Sequence, residues 1–452
     1  MRGRTTLIAV LLLAALGVYV WLYEIRGAAG REEKERRAGL VLGVAAKDVT
    51  ALRIERAGTT ILVRRAGDAW RLAEPIDAPG DRTAIEEIVN ALADLHRERA
   101  LDAVADSDRK GFGLEPPVAS AVLTLADGGE RRLSLGGRTA VKANRYVESG
   151  GVVSVVTAAL SRLEEATVDA LRDRSLVHLQ RDDLDTITLQ RTRGELRLRR
   201  QGERWRVEQP ESLPAHRSWS ADLLFAITSL RAVAFLDTPG SPPPADPGLA
   251  TPALRVLLTA TDGRTESVVI GNATPAGATP VGRYARAGEG PLAVVDNALF
   301  DAAQAGPEAW RDPRPLDLER WDLQRIQCSG PVTLDLKKNA EGGPWSRPTG
   351  GPVAEEISRA VVDLLAELEA SGFAPMGPLA EPILTLSLEG RDGVTQRMRC
   401  GAEGAAGPAR LESDRAGLLY LLPAGTGAKL LDALRAARDA PAAESAAAPA
   451  AP

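Results

Sequence analysis

Three tryptophans, Trp70, Trp205 and Trp345, mark the same point of a segment that this chain repeats. A Gly-Leu-x-x-Pro element begins 43 residues after the first (Gly113, Leu114, Pro117) and 43 after the second (Gly248, Leu249, Pro252). Asp127-Gly128 and Asp262-Gly263 both place glycine at +58, and Leu135-Gly136 and Ile270-Gly271 both place it at +66. Offsets this regular mean duplicated modules whose shared positions serve packing and turns. A chain of 452 residues then holds three units of about 130 to 140 residues, an ordinary domain size. The segments starting near residues 45, 182 and 321 are expected to share one fold, with the three tryptophans in equivalent, largely buried places.

Periodicity gives each module its elements. Val49 to Glu55 and Thr60 to Arg65 alternate apolar and polar residues as half-buried strands do, with Ala57-Gly58 as the turn. Trp70-Arg71-Leu72 is a third strand, stopped by Pro75. Asp81 caps a helix carrying Ile85, Ile88, Leu92 and Leu95 at helical spacing. Module two repeats this with Leu223, Ile227 and Leu230, and module three with Val361, Leu365 and Leu368, shifted by two residues. A hairpin turning at Asp-Gly follows, at Asp127-Gly128, Asp262-Gly263 and Asp392-Gly393. An Arg-Tyr strand, an apolar strand and a closing Arg-Asp pair (Arg172-Asp173, Arg311-Asp312) end the first two units. Module three has Arg410-Leu411 in place of Arg-Tyr, as expected of an end unit. The expected fold class is α+β, an antiparallel sheet plus helices repeated in tandem behind an N-terminal transmembrane helix.

That helix is read from Leu7 to Tyr23, which carry no charge and follow Arg2 and Arg4, with Trp21 and Tyr23 as interfacial aromatics. A cleaved signal peptide ending near Ala28-Ala29-Gly30 is the rival reading, disfavoured by Arg26 and the length of the run. Five basic residues after the run (Arg26, Arg31, Lys34, Arg36, Arg37) oppose export of the bulk. Long domains nevertheless translocate largely regardless of charge, so the N-terminus is placed in the cytoplasm and the bulk in the periplasm, a single-pass protein of the cell inner membrane. The expected division is a tail (1–6), the anchor (7–23), a stalk (24–44), modules at 45–176, 177–315 and 316–438, and a disordered Ala/Pro tail (439–452).

Together, the W-x-[LV]-x-x-P turn (Trp70 to Pro75, Trp205 to Pro210), G-L-x-x-P, the D-G hairpin, [LI]-G, R-Y and R-D resemble domain-of-unknown-function family 4340. The resemblance covers roughly residues 45 to 435 and is weak in the third module, where Trp345 is followed by Ser-Arg-Pro. It implies a bacterial, membrane-anchored α+β repeat protein, similar in gene context to accessory components of gliding-motility-type ABC transporters. It implies no catalytic residues.

The residues themselves point away from several chemistries. A net charge of −5 and a pI near 5.6 argue against a nucleic-acid partner, which would need a basic stripe. Arginine is abundant but interleaved with acid, and reads as solvated surface. His96, His178 and His216 lack the short spacings of a metal site, and Asp106-Ser107-Asp108 fails as a calcium loop because Lys110 and Pro117 stand at ligand positions. Gly425-Thr426-Gly427-Ala428-Lys429 lacks half of a phosphate loop, and adjacent acids such as Glu86-Glu87 are ordinary on an exposed helix face. The tryptophans, which could stack on sugars, sit where core residues sit. Whether Cys328 and Cys400 pair is left open. No catalytic, cofactor-binding or metal residue is expected. The expectation is a non-catalytic extracytoplasmic binding or scaffold protein whose partners are the cytoplasmic membrane and an ABC-type permease or other envelope protein. The alternative is an extracytoplasmic enzyme acting on a cell-envelope polymer.

Overall fold

The structure, a computed structural model, describes residues 39–442 except 102–103, 141–143, 158–159, 238–243, 245, 340–342, 376, 378, 380–382 and 402–408. The anchor at 7–23, the tail at 1–6, most of the stalk and the C-terminal tail from 443 onward lie outside the described residues. Among the described residues no helix is long and apolar enough to cross a membrane. Residues 39–44, assigned to the stalk, instead belong to the first module. The Val41 amide donates to the Leu95 carbonyl, and Val41, Leu42 and Val44 are buried. Four of these six residues are apolar, too many to leave in water when a core is adjacent.

Each module is one nine-stranded antiparallel sheet. In the first the strands are β1 (Val49–Arg56), β2 (Thr59–Ala66), β3 (Ala69–Glu74), β4 (Ala78–Pro79), β5 (Arg97–Leu101), β6 (Ala119–Leu125), β7 (Glu130–Arg138), β8 (Arg145–Ser149) and β9 (Val152–Val156). Their order is β4-β3-β2-β1-β6-β7-β8-β9-β5, and the other two sheets repeat that order. The chain starts at the centre of the sheet and meanders out to the β4 edge. The helix Arg82–Ala93 then carries it to the opposite edge, after which it returns to the centre and meanders out again. Even the irregularities recur: the first strand of each sheet has a register shift against its central partner, at Val49/Ala51, Leu184/Thr186 and Leu323/Arg325.

One face of each sheet is apolar and carries the helix. Leu52, Ile54, Ile61, Val63, Leu123 and Leu133 are at most 3% exposed, as are Ile85, Ile88 and Leu92 of the helix over them. Asp81 caps this helix through the Ala84 amide (3.0 Å), and His216 does the same for Arg217–Thr228 by accepting from Trp219 (3.4 Å). Glu355–Ala366 has no side-chain cap but begins with Glu355 and Glu356, which favour a helix N-terminus electrostatically. The last leucine of each apolar series lies just beyond its helix. Leu95, Leu230 and Leu368 follow cap residues Asp94, Ser229 and Glu367, yet all three are buried, each amide donating back to the carbonyl three residues earlier. The edge strands Arg97–Leu101, Ala234–Phe235 and Gly372–Pro375 were not expected, being too short or too polar to show alternation.

The three tryptophans are 2%, 8% and 8% exposed and occupy equivalent positions. Trp70 pairs across the strand with Arg65, Trp205 with Arg200 and Trp345 with Lys338. Their carbonyls accept from Gly80, Ala215 and Val353, respectively. The last spacing is two residues shorter, which accounts for the two-residue shift of the third helix.

The chain forms two compact units, the second beginning at Ser175. Modules two and three therefore belong to one unit, and a single apolar cluster runs from Leu176 to Ala440.

Recurrence of Gly-Leu-x-x-Pro with [LI]-G has a steric cause, because the loop lies backbone against backbone on the strand. Gly137 donates to Phe112 (2.7 Å) and Asn272 to Pro247 (2.9 Å). A Cβ on Gly136 would stand 2.5 Å from the Phe112 oxygen, and one on Gly271 2.0 Å from the Pro247 oxygen. A Cβ on Gly137 would reach only ordinary contact at 3.5 Å. Gly136→Ala is thus expected to destabilise the protein by about 2 kcal/mol or more in urea unfolding, as overpacking against rigid backbone does. Gly137→Ala should stay within about 0.5 kcal/mol of the parent.

Candidate functional site

The Arg-Asp pair that closes each of the first two modules works first through its backbone. Arg172 bridges Gly80, Arg311 bridges Ala215, and the Asp173 and Asp312 amides donate to Pro79 (2.9 Å) and Pro214 (3.3 Å). The pair thereby extends the short edge strand of its own sheet. In module two the aspartate side chain acquires a second role. Asp312 is 3% exposed and sits 3.5 Å from the Arg314 guanidinium and 3.6 Å from that of Arg415, which belongs to module three.

Around it the segment 313–319 is fastened to both neighbours. Ala370 donates to the Pro313 carbonyl, the Ser413 hydroxyl to Pro315 (2.8 Å), and the Asp317 amide to the Gln396 side chain (2.9 Å). Asp317 pairs with Arg204 and lies 3.5 Å from Arg415 and 4.0 Å from Arg217. Glu319 holds Arg217 at 2.9 Å and Arg314 at 3.8 Å. Arg204, Arg217, Asp312, Asp317 and Arg415 border a cleft of about 550 Å³ whose walls also include Trp205 and Ser220 of module two and Gln396 and Asp414 of module three. Arg415 is 9% exposed, which corrects the reading of the arginines as solvated surface. Burial, together with the Arg217, Arg415 and Arg314 charges, pulls the Arg204 guanidinium down to about 10, still cationic at neutral pH. Burial also lowers Arg415, opposed by Asp312, and pushes the adjacent Tyr420 phenol up to about 12.

Other residues singled out by sequence have local roles. His216 is a helix cap, His96 follows the helix and bridges Leu40, and the His178 amide donates to Glu266 (2.9 Å). Among the described residues no group of three or more His, Cys, Asp or Glu could hold a metal ion. Asp106–Gly111 is a short helix, so its acids point outward along a turn rather than lining a loop. Gly425 caps the helix Thr426–Asp439, and Glu86 pairs with Arg82. Cys328 and Cys400 are free, buried and two strands apart, with Leu384–Gly390 between their strands. That places their Cα atoms roughly 10 Å apart or more, beyond the ~7 Å reach of a disulfide.

The junction was missed because its parts span Arg181 to Arg415, each unremarkable in its own neighbourhood. Fold and cleft together define a tandem α+β repeat protein with a polar cleft where its second and third repeats meet. The sequence model of the domain of unknown function DUF4340 matches residues 70–247 and again 205–385, both matches starting at a marker tryptophan. The chain belongs to this family. No curated protein and no solved structure matches it.

Asp312→Ala would take from buried Arg415 its most buried carboxylate, leaving it Asp317 at 3.5 Å. Its expected cost is about 3 kcal/mol, the range for breaking a buried ion pair, read as earlier urea unfolding of the second unit. The cysteines give a second test. Burial raises both thiols, Cys400 to about 12, so in the native state neither is a thiolate at neutral pH. A raised acid pKa favours folding up to the unfolded thiol value near 9 and loses that contribution as pH climbs toward 12. Native protein at pH 8 should therefore resist iodoacetamide, and both cysteines should label on unfolding, which mass spectrometry would count.

Proposed function

We propose that this chain is a non-catalytic, membrane-anchored binding or scaffold protein of the cell envelope, an accessory component of an ABC-type transport or motility system. The observation that carries the reading is the use of the repeated residues. Trp, Gly, Pro and Arg-Asp, which recur between modules, fix core, turns and edge docking, so the repeats multiply a surface rather than a reactive group. A catalytic centre requires a nucleophile, acid–base pair or metal held by an orienting partner. At the module junction the carboxylates Asp312, Asp317 and Glu319 are engaged by guanidiniums, an arrangement that orders neighbouring chain segments. The uncharged run Leu7 to Tyr23 behind Arg2 and Arg4 supports the anchor and an inner-membrane location with the modules in the periplasm.

Two measurements test this. Alkaline phosphatase fused after Pro452 should be active in a bacterial host, since that enzyme works only outside the cytoplasm; an inactive, well-expressed fusion reverses the topology. Full-length protein captured from solubilised membranes should bring down a permease or its ATPase. Recovery of no envelope protein, alongside turnover of a glycan or peptide, would transfer the assignment to an enzyme.

A further inference from the structure

The wall that module two gives to this cleft differs from its counterpart in module one, although the elements of modules one and two align at an offset of 135 through this region, His216 matching Asp81 and Arg217 matching Arg82. In module one Arg82 pairs along its own helix with Glu86. Module two has Ala221 at the position of Glu86, and Arg217 instead reaches across to Glu319. Ser220 replaces buried Ile85, Arg204 replaces Ala69 and Arg181 replaces Ala46. Four substitutions at one spot thus exchange an apolar or self-paired surface for a polar, arginine-lined wall. Packing of the repeat does not require them, because module one folds the same way without them.

We propose that this cleft binds a compact oxyanion, a phosphate or carboxylate group, between the guanidiniums of Arg204, Arg217 and Arg415. All three converge on one carboxylate, that of Asp317. A guanidinium carries five N–H donors, whereas a carboxylate has about four acceptor sites. Asp312 and Glu319 take part of the surplus, and the Arg314 carbonyl accepts one bond from Arg415 (3.0 Å). Arg181 and Arg206 also line the cleft, so its five guanidiniums outnumber its four carboxylates (Glu203, Asp312, Asp317 and Asp414), and its volume of about 550 Å³ is ample for a small anionic group. Arg217 and Arg204 remain 45% and 33% exposed, so an anion can reach them, while Arg415 is held behind them at 9%. The first turn of the helix Arg217–Thr228 lies on the same wall and adds its positive end. Burial first, and then the neighbouring Arg217, Arg415 and Arg314 charges, disfavour the Arg204 cation, and a bound anion would offset the second effect. Forked guanidiniums suit phosphate and carboxylate geometry alike.

The test is calorimetric titration of the full chain in detergent, at constant ionic strength, with inorganic phosphate and in a parallel arm with citrate. Saturable binding of at least one is expected. A preference for phosphate assigns a phosphoryl ligand, and a preference for citrate a carboxylate. Arg217→Gln should weaken binding about tenfold or more, the loss expected for one hydrogen-bonded charge. Because that change also removes the Glu319 pair, a second variant leaves every arginine in place. Ala221→Glu restores the module-one carboxylate, gives Arg217 its in-helix partner and should suppress anion binding without lowering thermal stability. Arg82→Gln, the same helix position in module one, should bind as the parent does. Absence of saturable binding with both anions, or binding that persists in either cleft variant, overturns the assignment. Neither result depends on whether an envelope partner is captured, so the scaffold reading stands or falls separately.

Discussion

Everything in each module depends on the pairing of its first and sixth strands at the centre of the sheet. Leu52 faces Leu123 and Ile54 faces Ala121; Ile187 faces Leu258 and Leu189 faces Val256; Ile326 faces Leu388 and Cys328 faces Leu386. These are all core-facing pairs, and each joins segments about 60 to 70 residues apart in the chain. The pairing closes a long loop, an entropic cost that the helix packed beneath it must help offset. Once it forms, both halves grow outward by local hairpins whose cost is small. The helix is therefore more than a crossover. Its apolar stripe covers the face that the central pair presents, which ties the two meanders into one body.

What could be read in the sequence follows from which interactions are local. Periodicity places the helices and the inner strands, though not every strand end, since Ile85, Ile88 and Leu92 each answer to the same buried face. Equal offsets exposed the repeat because the Gly113 loop and the Gly136 strand touch backbone to backbone, so neither can drift alone. Edge strands such as Arg97–Leu101 were invisible for the opposite reason. An edge strand with an open side needs no apolar alternation, and that one reads as a charged loop. Residues 39–44 went to the stalk because three buried apolar residues among six do not make a period.

The module junction was harder still, because its geometry rests on no local pattern. Asp312, Asp317, Arg204 and Arg415 come from four segments, and each looks like one more charge in an arginine-rich chain. Comparison between repeats carries the missing signal. Where the modules are aligned, Glu86 becomes Ala221 and Ala69 becomes Arg204, a coordinated loss of one acid and gain of one base on facing elements. Within a repeat protein, differences between copies are more informative about function than the residues they share, which the fold alone accounts for.

The ion-pair network around buried Asp312 and Arg415 bears on a mismatch between the repeat and the compact units. Three sheets of one design could form three independent bodies, yet modules two and three form one. Buried charge pairs give little net stability, because desolvation cancels much of the attraction. Hydrophobic continuity from Leu176 to Ala440 must supply most of the binding between these two modules. The network supplies direction instead. Apolar surfaces tolerate sliding, whereas Asp312 accepts from the Arg314 amide (3.1 Å) and lies between the Arg314 and Arg415 guanidiniums, and a carboxylate displaced from its cations inside protein is strongly penalised. The same contacts that fix the angle between the two sheets therefore set the spacing of the arginines beside them, and the shape of the cleft is as well defined as the junction itself.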